Sequence, residues 1–246
     1  MLLFLAGLVA GALNAGAGGG SFVSFPAMVF AGLPSVAANA SSTVALFPGA
    51  VASVWAFRTD FTDFGGVSLR TLIWTSVVGG IAGAMLLLWT PSRTFDWVVP
   101  WLLLLATFAL IFGRQAGNAL RRVVQIGPGT LVVAQFVLAV YCGYFGGAAG
   151  LMMMAAWNLL RTAELKAMMP AKALVVGATN LVAVVCFIIA DKVSWPETLV
   201  MLVGAAIGGY VGARVARRMD PRHIRIGVIV LTIGMTAAFF LRAYTT

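Results

Sequence analysis

Apolar runs of eighteen or more residues recur from one end of this 246-residue chain to the other, as at 69–89 and 224–241. A helix needs about 20 apolar residues to cross a hydrocarbon core about 30 Å thick. Strands of a membrane barrel would alternate apolar and polar residues, and no such alternation occurs. The expected fold class is all-α, a polytopic transmembrane helical bundle in a lipid bilayer. The connections are too short to hold a soluble domain. Charge is scarce, at 9% of residues, yet sixteen Lys or Arg against seven acids leave a net +9. In a membrane protein such an excess fixes cytoplasmic loops, so no nucleic-acid partner is expected. Cys142 and Cys186 lie in apolar segments without CxxC spacing or clustered His, so neither a disulfide framework nor a metal or other cofactor is expected. No Lys or Arg precedes Arg58, so a signal peptide's basic n-region is missing.

Apolar segments fall near 2–16, 22–32, 36–57, 69–89, 95–112, 130–146, 149–160, 171–190, 196–216 and 224–241. The most polar connection, 113–129, divides the chain almost in half. Gly16 and Gly20 match Gly146 and Gly150 at an offset of 130, and GGIAGA at 79–84 matches GGYVGA at 208–213 at an offset of 129. Two separated matches at nearly one offset indicate duplication, a common feature of secondary transporters. The expected organisation is a first transmembrane repeat over 1–113, a basic cytoplasmic linker over 114–129 and a second repeat over 130–246.

The stretch NAGAGGGS at 14–21 interrupts the first apolar run. Leu2–Gly16 spans only about 22 Å as a helix, too short to cross alone. A long broken helix and a re-entrant hairpin both fit that length; loop charges favour the hairpin. With hairpins at 2–32 and 130–160, six full spans and the 113–129 loop in the cytoplasm, Arg58, Arg70, Arg114, Arg121, Arg122, Arg161, Lys166 and the basic cluster at 214–225 all fall inside. Only Arg93, Lys192 and Arg242 fall outside. Each half then holds a hairpin and three spans, an odd number, so the two repeats are inverted and both termini face out.

Two opposed glycine tips meeting near the midplane form a candidate site. Irregular backbone is tolerated at that depth only inside protein or along a wet cavity, and free amides at the start of a half-helix suit an anion. The candidate substrate-binding residues of the first repeat are Asn14, Gly18, Gly19, Gly20 and Ser21 at the tip, then Asn39, Ser41, Ser42 and Thr43 in the polar stretch that follows. Those of the second repeat are Gly147, Gly150, Lys172 and Asn180. Lys172 falls opposite Ser42 by the repeat. It either snorkels to the cytoplasmic interface or faces an anionic substrate. Close packing of glycines alone is the competing explanation of the tips, and Ser41, Ser42 and Thr43 can equally bond their own helix carbonyls. All seven acids lie in loops or at span ends, and His223, the one histidine, lies in a basic loop. A carboxylate proton relay or intramembrane catalysis is therefore disfavoured, and no enzyme activity is expected. The methionines at 152–154, 168 and 169 read as packing rather than as soft-metal ligands. Trp55, Trp89, Trp97, Trp101 and Trp195 lie near span ends, as interfacial anchors do.

At these residues the chain resembles the TauE/SafE sulfite exporter family, also called the toluene sulfonate uptake permease family. The pattern of GxGGG, Pro, GLP and a polar N-x-(S/T) stretch is matched by Gly16, Gly18, Gly19, Gly20, Pro26, Gly32, Leu33, Pro34, Asn39 and Ser42. YFGGAAGLMMM, Lys172, VSWPETL and GGYVGARVARRM extend the resemblance over essentially the whole chain. The second tip departs from GGG, and Met169 and Ala173 stand where related sequences often carry Asn. The resemblance implies seven or eight spans in a bacterial inner membrane and transport of small sulfur-containing or related organic anions. The expected function is a secondary transporter or facilitator for an anion such as sulfite or a sulfonate, by alternating access, with a homo-oligomer left open. An anion channel, or uptake of another small organic anion, is the alternative.

Overall fold

A computed structural model describes all residues except Gly18, 64–65, 124–126, 158–164, 217–220 and 246. Among the described residues ten helices follow one another: α1 Leu2–Ala17, α2 Ser21–Phe30, α3 Ser35–Ala56, α4 Leu69–Trp89, α5 Ser92–Val123, α6 Pro128–Tyr144, α7 Ala149–Trp157, α8 Leu165–Ile189, α9 Trp195–Ala216 and α10 Pro221–Thr245. No strand occurs among the described residues. Two stretches, Leu69–Trp89 and Met168–Ile189, are long and apolar enough to cross a membrane by length and composition alone. The described surface is strongly apolar, with Ile189, Trp89, Trp55 and Val230 all at least 65% exposed. A surface of that kind suits lipid rather than water.

The polar connection at 113–129 is shorter than its sequence suggests. α5 does not stop near 112 but continues to Val123. The run GRQAGNALRRV is free of proline, and its three Arg, two Ala, Leu and Gln are good helix formers that outweigh Gly113, Gly117 and Asn118, so the helix runs on. Similarly, α8 starts at Leu165, before the apolar run at 171, with Pro170 inside it.

Both glycine breaks separate short helices. α1 and α2 have 16 and 10 residues, and α6 and α7 have 17 and 9. Gly20, at the start of α2, lies against Ala10 and Asn14, so the chain turns back along α1. On the other side, Met153 and Trp157 of α7 both reach Gln135 of α6, so α7 turns back along α6.

Helices of one half are packed mainly on helices of the other. α1 lies along α9 and α6 along α4; α2 meets α10 and α7 meets α5; α3 packs on α8 and α5 on α10. Exchanging each helix for the one five places away returns the same pairings. Glycines set the two longest contacts. Gly204, Gly208 and Gly212 face Phe4, Leu8 and Ala12 in rising order, so α1 and α9 run parallel with backbones touching. Gly79 and Gly83 likewise face Phe136 and Val140, and a β-carbon on Gly79 would lie 2.7 Å from that of Ala139. Lipid tails are as apolar as side chains, so such association rests on close van der Waals packing, which a missing side chain permits.

An aromatic cluster holds α2. The Phe25 ring is 5.4 Å from Phe239, 5.8 Å from Phe145 and 6.1 Å from Phe95. A buried polar cluster holds α7 instead: Trp157 Nε1 donates to Gln135 Oε1 at 2.9 Å, and Gln135 Nε2 donates to Ser76 Oγ at 2.9 Å. Gly83→Leu and Gly208→Leu should each destabilise the protein by about 3 kcal/mol through overpacking. The check is the unfolding temperature in detergent. Gly234→Ala, at a position with open space around its missing side chain, should leave that temperature unchanged or raise it.

Candidate functional site

A cavity of about 640 Å³ lies where the two breaks approach the middle of α3. Its geometry follows from the division of α3. The N-terminal half is buried, with Asn39, Ser41 and Ser42 all at most 3% exposed, whereas the C-terminal half from Ser42 to Ala56 lines the cavity. Small residues at Ala45, Gly49, Ala52 and Ser53 leave the space open on that face. Pro48 lies inside α3 and has no amide hydrogen, so the carbonyl of Val44 lacks its usual helical donor. The opposite walls come from α1, α8, α9 and the second break.

The polar stretch of α3 is largely occupied with structural bonds. Asn39 Nδ2 donates to the Tyr144 carbonyl at 3.0 Å, tying α3 to the end of α6. Ser41 Oγ accepts from the Ser194 amide at 2.9 Å, tying it to the start of α9. Ser35 Oγ donates to Asp96 at the same end. Ser24 Oγ lies 3.2 Å from the Gly20 carbonyl and 2.6 Å from Ser42 Oγ, a bond in which either hydroxyl can donate. Thr43 donates to the Asn39 carbonyl at 2.9 Å. Three of these bonds thus join the N-terminal half of α3 to α5, to the end of α6 and to the start of α9.

Lys172 stands out against this. It is half-buried on α8, it lines the cavity, and no described residue gives it a hydrogen bond or an ion pair. Its stem lies across the second tip, where a β-carbon on Gly150 would come 3.2 Å from Lys172 Cδ and 3.3 Å from Cγ. Two turns further along α8, Asn180 lines the same space; its Oδ1 takes only a long 3.9 Å contact from Cys142 Sγ. Asn14 of α1 and Ser21 at the start of α2 complete the polar wall.

Seven of the residues singled out from the sequence therefore share one cavity: Asn14, Ser21, Ser42, Thr43, Gly150, Lys172 and Asn180. Asn39 and Ser41 lie outside it and join helices. Gly19 and Gly20 are buried, their carbonyls accepting from the first residues of α2. Gly147 also lies off the cavity wall, and its carbonyl accepts from Tyr141 Oη at 2.8 Å. Gly18 is outside the described residues. The wall along Pro48, Gly49 and Ser53 escaped the sequence reading, although a Pro-Gly pair inside an apolar run was the available signal. The second tip is built around Gly146 and Ala148, at φ +81° and +56°. The left-handed backbone costs a residue with a side chain about 1–2 kcal/mol, so Ala148 holds a strained turn.

The contact at the second tip makes a specific prediction. Gly150→Ala forces the Lys172 stem aside by a few tenths of an ångström. It should destabilise the protein by on the order of 1 kcal/mol. Gly129→Ala, which meets nothing, should not. The unfolding temperatures of the purified variants in detergent distinguish them.

Comparison with known proteins places this geometry. The sequence model described as Sulfite exporter TauE/SafE matches residues 3–239. A probable membrane transporter protein of Haemophilus influenzae is 29% identical over 244 residues, covering 96% of this chain and 92% of its own length. The probable membrane transporter protein YfcA of Escherichia coli is 26% identical over 238 residues, covering 96% and 87%. The probable membrane transporter protein ORF9 of a Sinorhizobium species is 27% identical over 240 residues, covering 95% and 89%. No solved structure matches the chain. With a family match that spans nearly all of a helical chain, and somewhat longer relatives, matched over most of their length, that are described as probable membrane transporters, the protein belongs to the sulfite exporter TauE/SafE family of membrane transporters.

Proposed function

We propose that this chain is a secondary transporter or facilitator of the bacterial inner membrane that carries a small sulfur-containing anion, such as sulfite or an organosulfonate. The observation that carries this reading is Lys172: a cation with no hydrogen-bond or ion-pair partner among the described residues, facing a cavity between the two glycine breaks. An ammonium in that position is costly without a counter-ion, and an anionic substrate supplies one. Asn180, Asn14 and Ser21 add neutral hydrogen-bonding groups. The polar stretch of α3 holds the site together rather than contacting the substrate, apart from Ser42 and Thr43 at its edge.

Movement is by alternating access between two inverted repeats, 1–113 and 130–246. Support comes from the pairing pattern: α1 on α9 mirrors α6 on α4, and α2 on α10 mirrors α7 on α5. Parallel pairs drawn from opposite halves are what an inverted duplication requires. In the state described here the cavity reaches along the C-terminal half of α3 toward the end that carries Arg58 and Arg70. The bonds from Asn39, Ser41 and Ser35 close the other end. By the distribution of basic residues the open end is cytoplasmic. A singly charged anion leaving a negative-inside cell gains about 2.3 kcal/mol per 100 mV, so export needs no coupling ion.

The test is movement of labelled sulfite, sulfate, thiosulfate and a small sulfonate across proteoliposomes under an imposed potential. Saturable, potential-dependent flux that Lys172→Met reduces at least about tenfold, with the folded protein intact, is the expected outcome. Undiminished flux in that variant would remove Lys172 from the site. Currents far above carrier turnover would replace the carrier by a channel.

A further inference from the structure

We propose that the cavity selects by charge number and takes a singly charged organic anion, its head group at Lys172 and its apolar body against α3 and α9. The proposal rests on the anion-site reading above and narrows it. Among the described residues that line the cavity, Lys172 is the only one that carries a charge of either sign. One ammonium offsets one negative charge. A second negative charge on the ligand would be drawn from water into a space in which no second cation stands among the described residues, and burial disfavours it strongly there.

The neutral groups do not make up the difference, because a hydroxyl or amide dipole carries no net charge to offset a second negative one. The Ser42 hydroxyl is bonded to that of Ser24, and Thr43 gives its proton to the Asn39 carbonyl, so Thr43 turns lone pairs toward a ligand. Besides Lys172, the polar groups of the wall are those of Asn14, Ser21, Ser53, Asn180 and Tyr210, all neutral.

The rest of the wall is apolar. Ala45, Leu46 and Ala52 of α3 face the cavity from one side, Val176 from α8, and Ala205 and Ala206 from α9. At about 640 Å³ the space falls within the range of roughly 300–1,000 Å³ in which organic ligands bind, and a bare tetrahedral oxyanion would leave that wall wet. An alkyl or aryl body covers it and gains the hydrophobic contribution that an inorganic anion lacks.

The experiment is isothermal titration of the purified full chain in detergent with four probes: butane-1-sulfonate, methanesulfonate, sulfate and butane-1,4-disulfonate. Butane-1-sulfonate should bind about tenfold or more tightly than each of the other three. Lys172→Gln should abolish that binding, whereas Lys172→Arg, which keeps the charge, should retain most of it. Sulfate or the disulfonate binding as tightly as butane-1-sulfonate, and losing that affinity in Lys172→Gln, would overturn the charge-number rule and leave the anion site standing. Methanesulfonate equal to butane-1-sulfonate would overturn the apolar-body half. Binding of none of the four would overturn both the proposal and the reading on which it rests.

Discussion

Contact between bare helix backbones is the constraint on which the remaining structure depends. In a bilayer no hydrophobic force draws apolar helices together, so the pairs α1–α9 and α4–α6 associate by proximity alone, with glycines removing the side chains that would hold them apart. Because each pair takes one helix from each half, the same contact also fixes how the halves meet. The two short helix pairs are positioned by it: α2 and α7 hang from α1 and α6, and their glycine breaks reach the middle of α3.

The two halves differ where chemistry is at stake. One short helix is pinned by phenylalanine rings with a single hydroxyl bond, Ser24 to Ser42, and the other by the Gln135–Trp157–Ser76 bonds, so directional bonds weigh more at α7 than at α2. Ser42, which precedes Lys172 by the 130-residue offset of the glycine tips, is buried and bonded within the protein, while Lys172 is left to the cavity. An approximately symmetric scaffold thereby carries a polarised site, with its charge on one side. The strained turn at Ala148 sits on that same charged side, beside Gly150 and the lysine stem.

Much of this was legible in the sequence because membrane helices announce themselves by length and apolarity, and glycine motifs by their spacing. The glycine-rich tips at 14–21 and 143–150 and the repeated GGxxGA were read from the chain, and the latter turned out to be points of backbone contact. Lys172 and Asn180 were legible because polar residues are rare in such segments. Other features were not. Whether a polar residue faces a cavity or binds a neighbouring helix depends on its rotation about the helix axis, and one turn of α3 contains both cases: Asn39 and Ser41 join helices, Ser42 and Thr43 reach the cavity edge. The continuation of α5 to Val123 was hidden by its arginines, which read as a loop although they are good helix formers. The cavity wall at Pro48–Ser53 was hidden by its plainness, since small apolar residues announce an absence of side chain rather than a function.

The parallel pairing of α1 with α9 also has a consequence for how the protein is made. The helix that completes the first glycine contact is encoded near the other end of the chain, so the first hairpin, with its polar break, enters the membrane long before its partner exists. At about 5–20 residues per second the interval is on the order of ten seconds or more. The second pair suffers no such delay, because α4 is already in place when α6 emerges. Biogenesis is therefore lopsided in a molecule whose halves are alike, and the early hairpin must be sheltered, by lipid, insertion machinery or α3, until Gly204, Gly208 and Gly212 arrive to close against it.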